Sequence, residues 1–176
     1  ISIGLVGSEM CIRDSLEMQG SAEARDFYQR ALDYPERDTS QDRVCHAGIA
    51  RATVQMGDSA RGKQLALDSN DPQLCRECAV LLEEQHNFQE AAELYEEVKM
   101  YEKAVSLHMQ TKSFGQAQAL MKHVRAPKLH SQYARAKEVE GNYTEAAAAY
   151  EVANNVEAVV RILSLIHISE PTRPID

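Results

Sequence analysis

The sequence predicts an all-α fold, an α-solenoid built from short helical hairpins. Apolar residues recur at the spacing of one helix face, as in Leu81, Leu82, Phe88 and Ala91, and the period-two alternation of strands is absent. A short motif also recurs along the chain, which is typical of arrays in which each hairpin packs on its neighbours. The 176 residues are 44% hydrophobic but only 6% aromatic, which suits small residues packed between close helices.

Helix starts and breaks can be placed from local signals. Asp71 followed by Pro72 predicts an N-cap and the first residue of a helix, and Ala126 followed by Pro127 predicts a second start after a break. Pro35 and a few Gly residues divide the rest of the chain. The helices are therefore expected to be short.

The recurring motif predicts which side chains pack between helices. Residues 86–98 align without a gap to residues 141–153, and both contain Asn, an aromatic residue, any residue, Glu and Ala. An aromatic residue follows that Ala by four positions and a small apolar residue follows three later, so all three lie on one helix stripe. The predicted repeat-packing positions, in chain order, are Ala24, Tyr28, Ala31, Ala91, Tyr95, Val98, Ala117, Met121, Ala146, Tyr150 and Ala153. Weaker copies are Gly62/Ala66, Ala104/His108 and Ala158/Ile162.

The two ends of the chain differ from the middle. Residues 163–173 read LSLIHISEPTR and residues 5–15 read LVGSEMCIRDS, and one DNA string that resembles a transposon-based sequencing adaptor encodes both, on opposite strands. We therefore expect residues 1–15 and 163–176 to be non-native, adaptor-derived segments that take no part in cooperative packing. Residues 16–162 are expected to be the α-solenoid fragment of a longer protein.

Composition excludes several classes of function. The net charge is -8, with 27 acidic against 19 basic residues, whereas a nucleic-acid binder needs a basic footprint. No apolar run approaches the roughly 18 residues that a membrane span requires. Four Cys at irregular spacing make no disulfide framework, and no signal peptide is recognisable, so a reducing intracellular compartment is the default expectation. We expect no nucleic acid, membrane insertion or small-molecule substrate.

Catalytic and metal-binding patterns are weak. Cys75 and Cys78 have the spacing of a redox dithiol, but no strand precedes them and they share a face with leucines, so buried structural Cys is the preferred interpretation. Zinc would need Cys45, His46 or His86 as further ligands, at spacing that paired sites do not show. His108 is expected to pack in the core. The remaining polar candidates are assigned to solvated or isolated positions: His123, His130, Glu83, Glu84, Glu96 and Glu97. We expect neither an enzyme nor a bound cofactor.

Two resemblances carry the functional expectation. The repeated unit resembles the second helix of a tetratricopeptide repeat, at spacing that departs from the regular period. The stretches LYEEVKMYEKAVSLHM and APKLHSQYARAKEVEGNYTEA resemble the C-terminal helical region of the WD-repeat subunits of intraflagellar transport complex A. That resemblance implies a non-catalytic scaffold with other complex A subunits as partners, located in the cytoplasm, the cilium and the ciliary base. It also implies roles in retrograde ciliary transport, cilium assembly and ciliary import of membrane proteins.

Three other functions stay open at this point. The first is a vesicle-coat subunit, because coat subunits also combine a propeller with a helical solenoid. A peptide-binding clamp is favoured by the basic region from 112 to 137, which contains Lys112, Lys122, Arg125, Lys128, Arg135 and Lys137. A thiol oxidoreductase depends on Cys75 and Cys78 alone.

Overall fold

The computed structural model describes residues 20–35 and 39–169, and within those ranges every regular element is a helix. The chain divides into two compact units, the first ending at Met100 and the second beginning at Tyr101. The prediction of an all-α array of short helical hairpins is confirmed for the described residues. Predicted segment 1–15 lies outside them.

The first unit contains five α-helices and one short 3-10 turn. Their bounds are α1 Ser21–Asp33, the 3-10 turn Thr39–Gln41, α2 Asp42–Gln55, α3 Ser59–Asp68, α4 Pro72–Glu84 and α5 Phe88–Glu97. Successive helices pack as neighbours, and α4 also contacts α2 while α5 also contacts α3. Gly48 of α2 permits a close approach of two helices, since a Cβ there would lie 2.3 Å from the ring of Tyr28 in α1.

The second unit also contains five helices. They are α6 Tyr101–Gln110, α7 Phe114–Met121, α8 Pro127–Val139, α9 Tyr143–Val152 and α10 Val156–Ser169. One buried cluster connects all of them, with Val105, Ala117, Tyr133, Tyr150 and Ile162 among its members. Both predicted helix starts are confirmed, because α4 begins at Pro72 and α8 at Pro127.

Six of the nine turns between the described helices share one construction. The second residue after the helix has a positive φ, and the next residue donates its backbone N–H to a carbonyl five residues earlier, as in Asn87 N to Leu82 O at 2.8 Å and Asn142 N to Lys137 O at 2.9 Å. That same residue is then the N-cap of the following helix, as Asn142 shows by accepting from Glu145 N. The positive-φ residues are Gly57, Asn70, His86, Lys99, Lys112, Gly141 and Asn154.

Helix α10 continues beyond the boundary predicted after Ile162. Ile166 is partly buried against the second unit's cluster, whereas Leu163 and Ile168 are exposed. The expectation that this end takes no part in packing is wrong at Ile166, because Ile166 follows Ile162 by one turn on the same helix face. The assignment of residues 163–176 to adaptor DNA stays a prediction, and resequencing the transcript would test it.

Candidate interaction surfaces

The two units contain the same set of four helices, with corresponding residues 55 positions apart. Pro72 and Pro127 begin α4 and α8, and Phe88 and Tyr143 begin α5 and α9. Gly57 and Lys112, which precede α3 and α7, both have positive φ. Helices α2 to α5 thus correspond to α6 to α9, and every position of one set can be compared with its counterpart in the other.

The predicted repeat-packing positions divide by their place in the motif. The first two positions are buried in all four copies, namely Ala24, Tyr28, Ala91, Tyr95, Ala117, Met121, Ala146 and Tyr150. The third positions Ala31, Val98 and Ala153 are only partly buried. Val98 and Ala153 are the C-cap residues of α5 and α9, where the chain turns away from the neighbouring helix. The energetic role of these positions stays a prediction.

The motif tyrosines make a hydrogen bond that the sequence did not reveal. Tyr95 donates its hydroxyl to Glu83 at 3.0 Å, and Tyr150 donates to Glu138 at 3.2 Å, in each case twelve residues earlier on the preceding helix. The pKa values of both phenols are raised, mainly by burial and to a smaller extent by the hydrogen bond to the carboxylate. The assignment of Glu83 to a merely solvated face is therefore wrong. Glu138 also accepts two hydrogen bonds from Arg161 of α10, at 2.8 and 3.0 Å.

Lys137 is the main polar residue of the core that sequence reasoning missed. It is only 8% exposed, and its Nζ lies 2.9 Å from Glu140 and 3.5 Å from Glu145. The hydrogen bond to Glu140 is the largest of the causes that raise the pKa of this ammonium group. The sequence groups Lys137 with the basic region from 112 to 137, but its ammonium group is already paired with these two carboxylates. The signal was available, since position 82 in the other unit is the fully buried Leu82.

The cysteines are in the environment expected of structural residues. Cys75 and Cys78 are free and buried, and Cys75 Sγ lies 3.3 Å from the Ala66 carbonyl oxygen. Burial raises the pKa of Cys75, and it raises the pKa of Cys78 to about 12. A redox dithiol needs the opposite shift. Within residues 20–35 and 39–169, no three His, Cys, Asp or Glu side chains are grouped so as to hold a metal ion.

Two of the three candidate histidines, His108 and His130, lie on different helices, and His123 lies in the turn between α7 and α8. His108 is fully buried, as expected from its motif position. His130 is also buried, and its Nε2 is 2.9 Å from the Val124 carbonyl oxygen. His123 stacks on Tyr101 with 4.6 Å between ring centroids. These contacts hold helix ends and loops in place, and they bring none of the three rings together.

A groove is present in each unit. In the first unit a groove of about 320 Å³ is lined by residues of both charges, namely Arg43, His46, Ala47, Leu65, Asp68, Ser69, Asp71 and Leu74. In the second unit a groove of about 290 Å³ lies among α7, α8 and α9 and is lined by Gln118, Met121, Lys122, His130, Tyr133, Glu145, Ala148, Ala149 and Val152. The α7–α9 groove, as we call the second, includes the rim residue Lys122 from the predicted basic region.

Comparison with known proteins gives relatives for most of the chain. Mouse WD repeat-containing protein 19 is 36% identical over 153 residues, which cover 84% of this chain and 11% of that protein. The human protein of the same name is 36% identical over 154 residues, or 85% of this chain and 11% of its own length. WD repeat-containing protein dyf-2 of Caenorhabditis elegans is 34% identical over 120 residues, or 68% of this chain and 9% of its own.

Over this segment the chain belongs to the WD repeat-containing protein 19 family. It spans about a tenth of the length of these relatives, which matches the expectation of a fragment. No family model matches. A crystal structure of BtubC (BKLC) from P. vanneervenii covers 94% of this chain and 82% of that chain at 11% identity, but its TM-score of 0.38 is too low to support any inference. Among the described residues, no helix is both long and apolar enough to cross a membrane.

Proposed function

We propose that residues 16–162 form a non-catalytic scaffold segment of an intraflagellar transport complex A subunit. The observation that carries the proposal is the identity of about a third with WD repeat-containing protein 19 over most of the chain. Short helices with small residues at their contacts support it, because such arrays present extended surfaces to other proteins. The proposed partners are the other subunits of complex A.

The finer role follows from that membership. As part of complex A, the segment would contribute to retrograde ciliary transport, cilium assembly and ciliary import of membrane proteins, in the cytoplasm, at the ciliary base and in the cilium. Its contribution is to hold neighbouring parts of the assembly at a fixed spacing. The pKa values of Cys75 and Cys78, both raised by burial, agree with a role that needs no reactive thiol.

A chimera tests the proposal. The matching segment of mouse WD repeat-containing protein 19 is replaced by residues 16–162 of this chain, and the chimera is expressed in ciliated cells that lack the endogenous protein. We expect it to co-purify with complex A subunits and to restore cilia. The matched control carries Tyr95→Asp and Tyr150→Asp, which place an unpaired charge at two fully buried positions and should abolish both readouts. Co-purification with vesicle-coat subunits instead, or with no complex A subunit, would refute the proposal.

A further inference from the structure

The α7–α9 groove corresponds to a place in the first unit that an ion pair spans. At the corresponding place there, Lys63 of α3 forms an ion pair with Glu93 of α5, which ties these two helices together. The residues 55 positions later are Gln118 and Ala148, which cannot make that pair. Helix α3 packs against both α4 and α5, whereas α7 packs mainly against α6. Gln118 instead donates to Glu145 of α9 at 3.3 Å, and the groove lies where Ala148 and Ala149 replace the larger side chains of Glu93 and Leu94.

The charge around the groove differs from that of the rest of the chain. Residues 103–137 contain seven Lys and Arg and no Asp or Glu, although the whole chain has a net charge of -8. Lys122 lines the groove, is exposed and makes no ion pair with any described residue. Arg125, which precedes α8, and Lys128, in its first turn, are also exposed. The acidic residue in the lining, Glu145, is offset by Lys137 at 3.5 Å.

The rest of the lining is small and apolar. Ala148 and Ala149 leave space between the helices, and Val152 is 63% exposed at the rim. Met121 and Tyr133 are buried and provide the base of the groove. This surface accepts an apolar side chain, with a cation at Lys122 placed to receive a carboxylate next to it.

We infer that the α7–α9 groove binds an acidic peptide segment of a partner protein, with a carboxylate at Lys122 and an apolar side chain against Ala148 and Ala149. Charge complementarity determines the class of occupant, since a polypeptide that alternates acidic and apolar residues matches both parts of the surface. A nucleic acid fits less well, because one lining lysine above an apolar floor gives neither the row of phosphate contacts nor the stacking surface that such ligands use. The inference adds a binding site to the proposed scaffold role. It rests on that role only for the assumption that the occupant is a protein.

Fluorescence anisotropy on the 176-residue chain tests the inference. The probe is a short fluorescein-labelled peptide in which Glu alternates with Leu, and a peptide with Gln in place of Glu is the charge control. We expect saturable binding of the Glu peptide that weakens as salt is added, and no binding of the Gln peptide. Absence of saturable binding, or equal binding of both peptides, would overturn the inference.

Matched variants locate the site. Ala148→Glu places a carboxylate in the groove, as Glu93 does at the corresponding position of α5, and Lys122→Glu reverses the charge at the rim. Each variant should weaken binding by about tenfold or more, the equivalent of one lost charge-assisted contact. Both positions are exposed, and circular dichroism will confirm that the variants remain folded. The controls Ala119→Glu and Lys112→Glu make the same charge changes at exposed positions outside the lining, and we expect them to change the affinity by less than about twofold.

Two results would overturn the site assignment. Equal weakening by the control variants would mean diffuse attraction rather than a groove. Displacement of the probe by oligothymidine at lower concentrations than by the unlabelled Glu peptide would mean a nucleic-acid surface. Since these measurements use the isolated chain and a synthetic peptide, their failure is distinguishable from failure of the chimera to recruit complex A.

Discussion

Helices α3 to α5 and their counterparts α7 to α9 have almost the same lengths but bury different side chains. In the first set α4 buries Cys75, Cys78 and Leu82. The corresponding residues of α8 are His130, Tyr133 and Lys137, which are also buried. The backbone of the repeat is therefore compatible with a core of thiols and aliphatic groups and with a more polar core, in which His130 and Lys137 are hydrogen-bonded. Helix caps and turns set the helix lengths, and the side chains of the interior differ between the two sets.

The largest expected effect is an exchange at the buried position that differs most. Leu82→Lys buries a charge in the first unit, where the residue that corresponds to Glu140 is the neutral Gln85. We therefore expect a loss of about 3–5 kcal/mol in unfolding free energy. Lys137→Leu removes a charge whose desolvation already offsets its ion pairs, so its effect should stay within about 1 kcal/mol. Urea unfolding followed by circular dichroism measures both.

A second substitution makes this comparison sharper. The double variant Leu82→Lys with Gln85→Glu restores the pair seen between Lys137 and Glu140, and it should recover part of the loss. Equal destabilisation by Leu82→Lys and Lys137→Leu would show that the two interiors do not differ in the way described here.

The next effect concerns thiol reactivity in α4. Because burial raises the pKa of Cys78 to about 12 from 9.0, its thiolate fraction at neutral pH should be about a thousandfold below that of an ordinary Cys. We expect iodoacetamide to modify the half-buried Cys45 first and to reach Cys78 only in urea, as read by peptide mass spectrometry. Modification of Cys78 at the rate of Cys45 in the folded chain would revive the thiol oxidoreductase hypothesis.

A smaller effect is expected where the two sets differ by one methyl group. Gly62 of α3 corresponds to Ala117 of α7, and a Cβ at Gly62 would lie 2.3 Å from a methyl carbon of Val54. Gly62→Ala should therefore destabilise the chain by about 1–3 kcal/mol, although Ala is the better helix former. Ala117→Gly should cost about 1 kcal/mol through helix propensity, and roughly another 1 kcal/mol because the buried methyl group is lost. If Gly62→Ala instead stabilises the chain in thermal unfolding, α2 and α3 are not in close contact there.

The smallest effect is expected at the turns. His86 and Gly141 are counterparts with φ of 62° and 80°. His86→Gly relieves the steric cost of a left-handed residue and should stabilise the chain by up to about 1 kcal/mol, while Gly141→Ala should cost about the same. Thermal unfolding of the two variants measures the difference. Shifts of the same sign would contradict a shared turn construction.

Much of the local structure could be predicted, and the reasons are local. The starts at Pro72 and Pro127 follow from an N-terminal proline, and the burial of Tyr95 and Tyr150 follows from their place in the motif. The gap-free alignment covered only residues 86–98 and 141–153. Extended back to Pro72 and Pro127, it would have paired Leu82 with Lys137 and indicated that this lysine is buried.

The candidate site could not be predicted in the same way. The sequence indicates the basic region from 112 to 137, but it groups Lys137 with Lys122. The identity of a charged residue does not show whether its side chain is buried. The α7–α9 groove depends on Ala148 and Ala149 of α9 lying opposite Gln118 of α7. Those residues lie on different helices, so no local pattern reveals that they line one groove.

The sequence by itself determined the helical class, the helix starts, the motif positions and the family, since each depends on neighbours within a turn or on similarity along the chain. Tertiary structure alone decided which carboxylates pair with Lys137 and which helices leave a groove between them. The physical reason is that desolvation, ion pairing and groove formation depend on the distance between side chains from separate helices. That distance becomes definite only once the hairpins have packed.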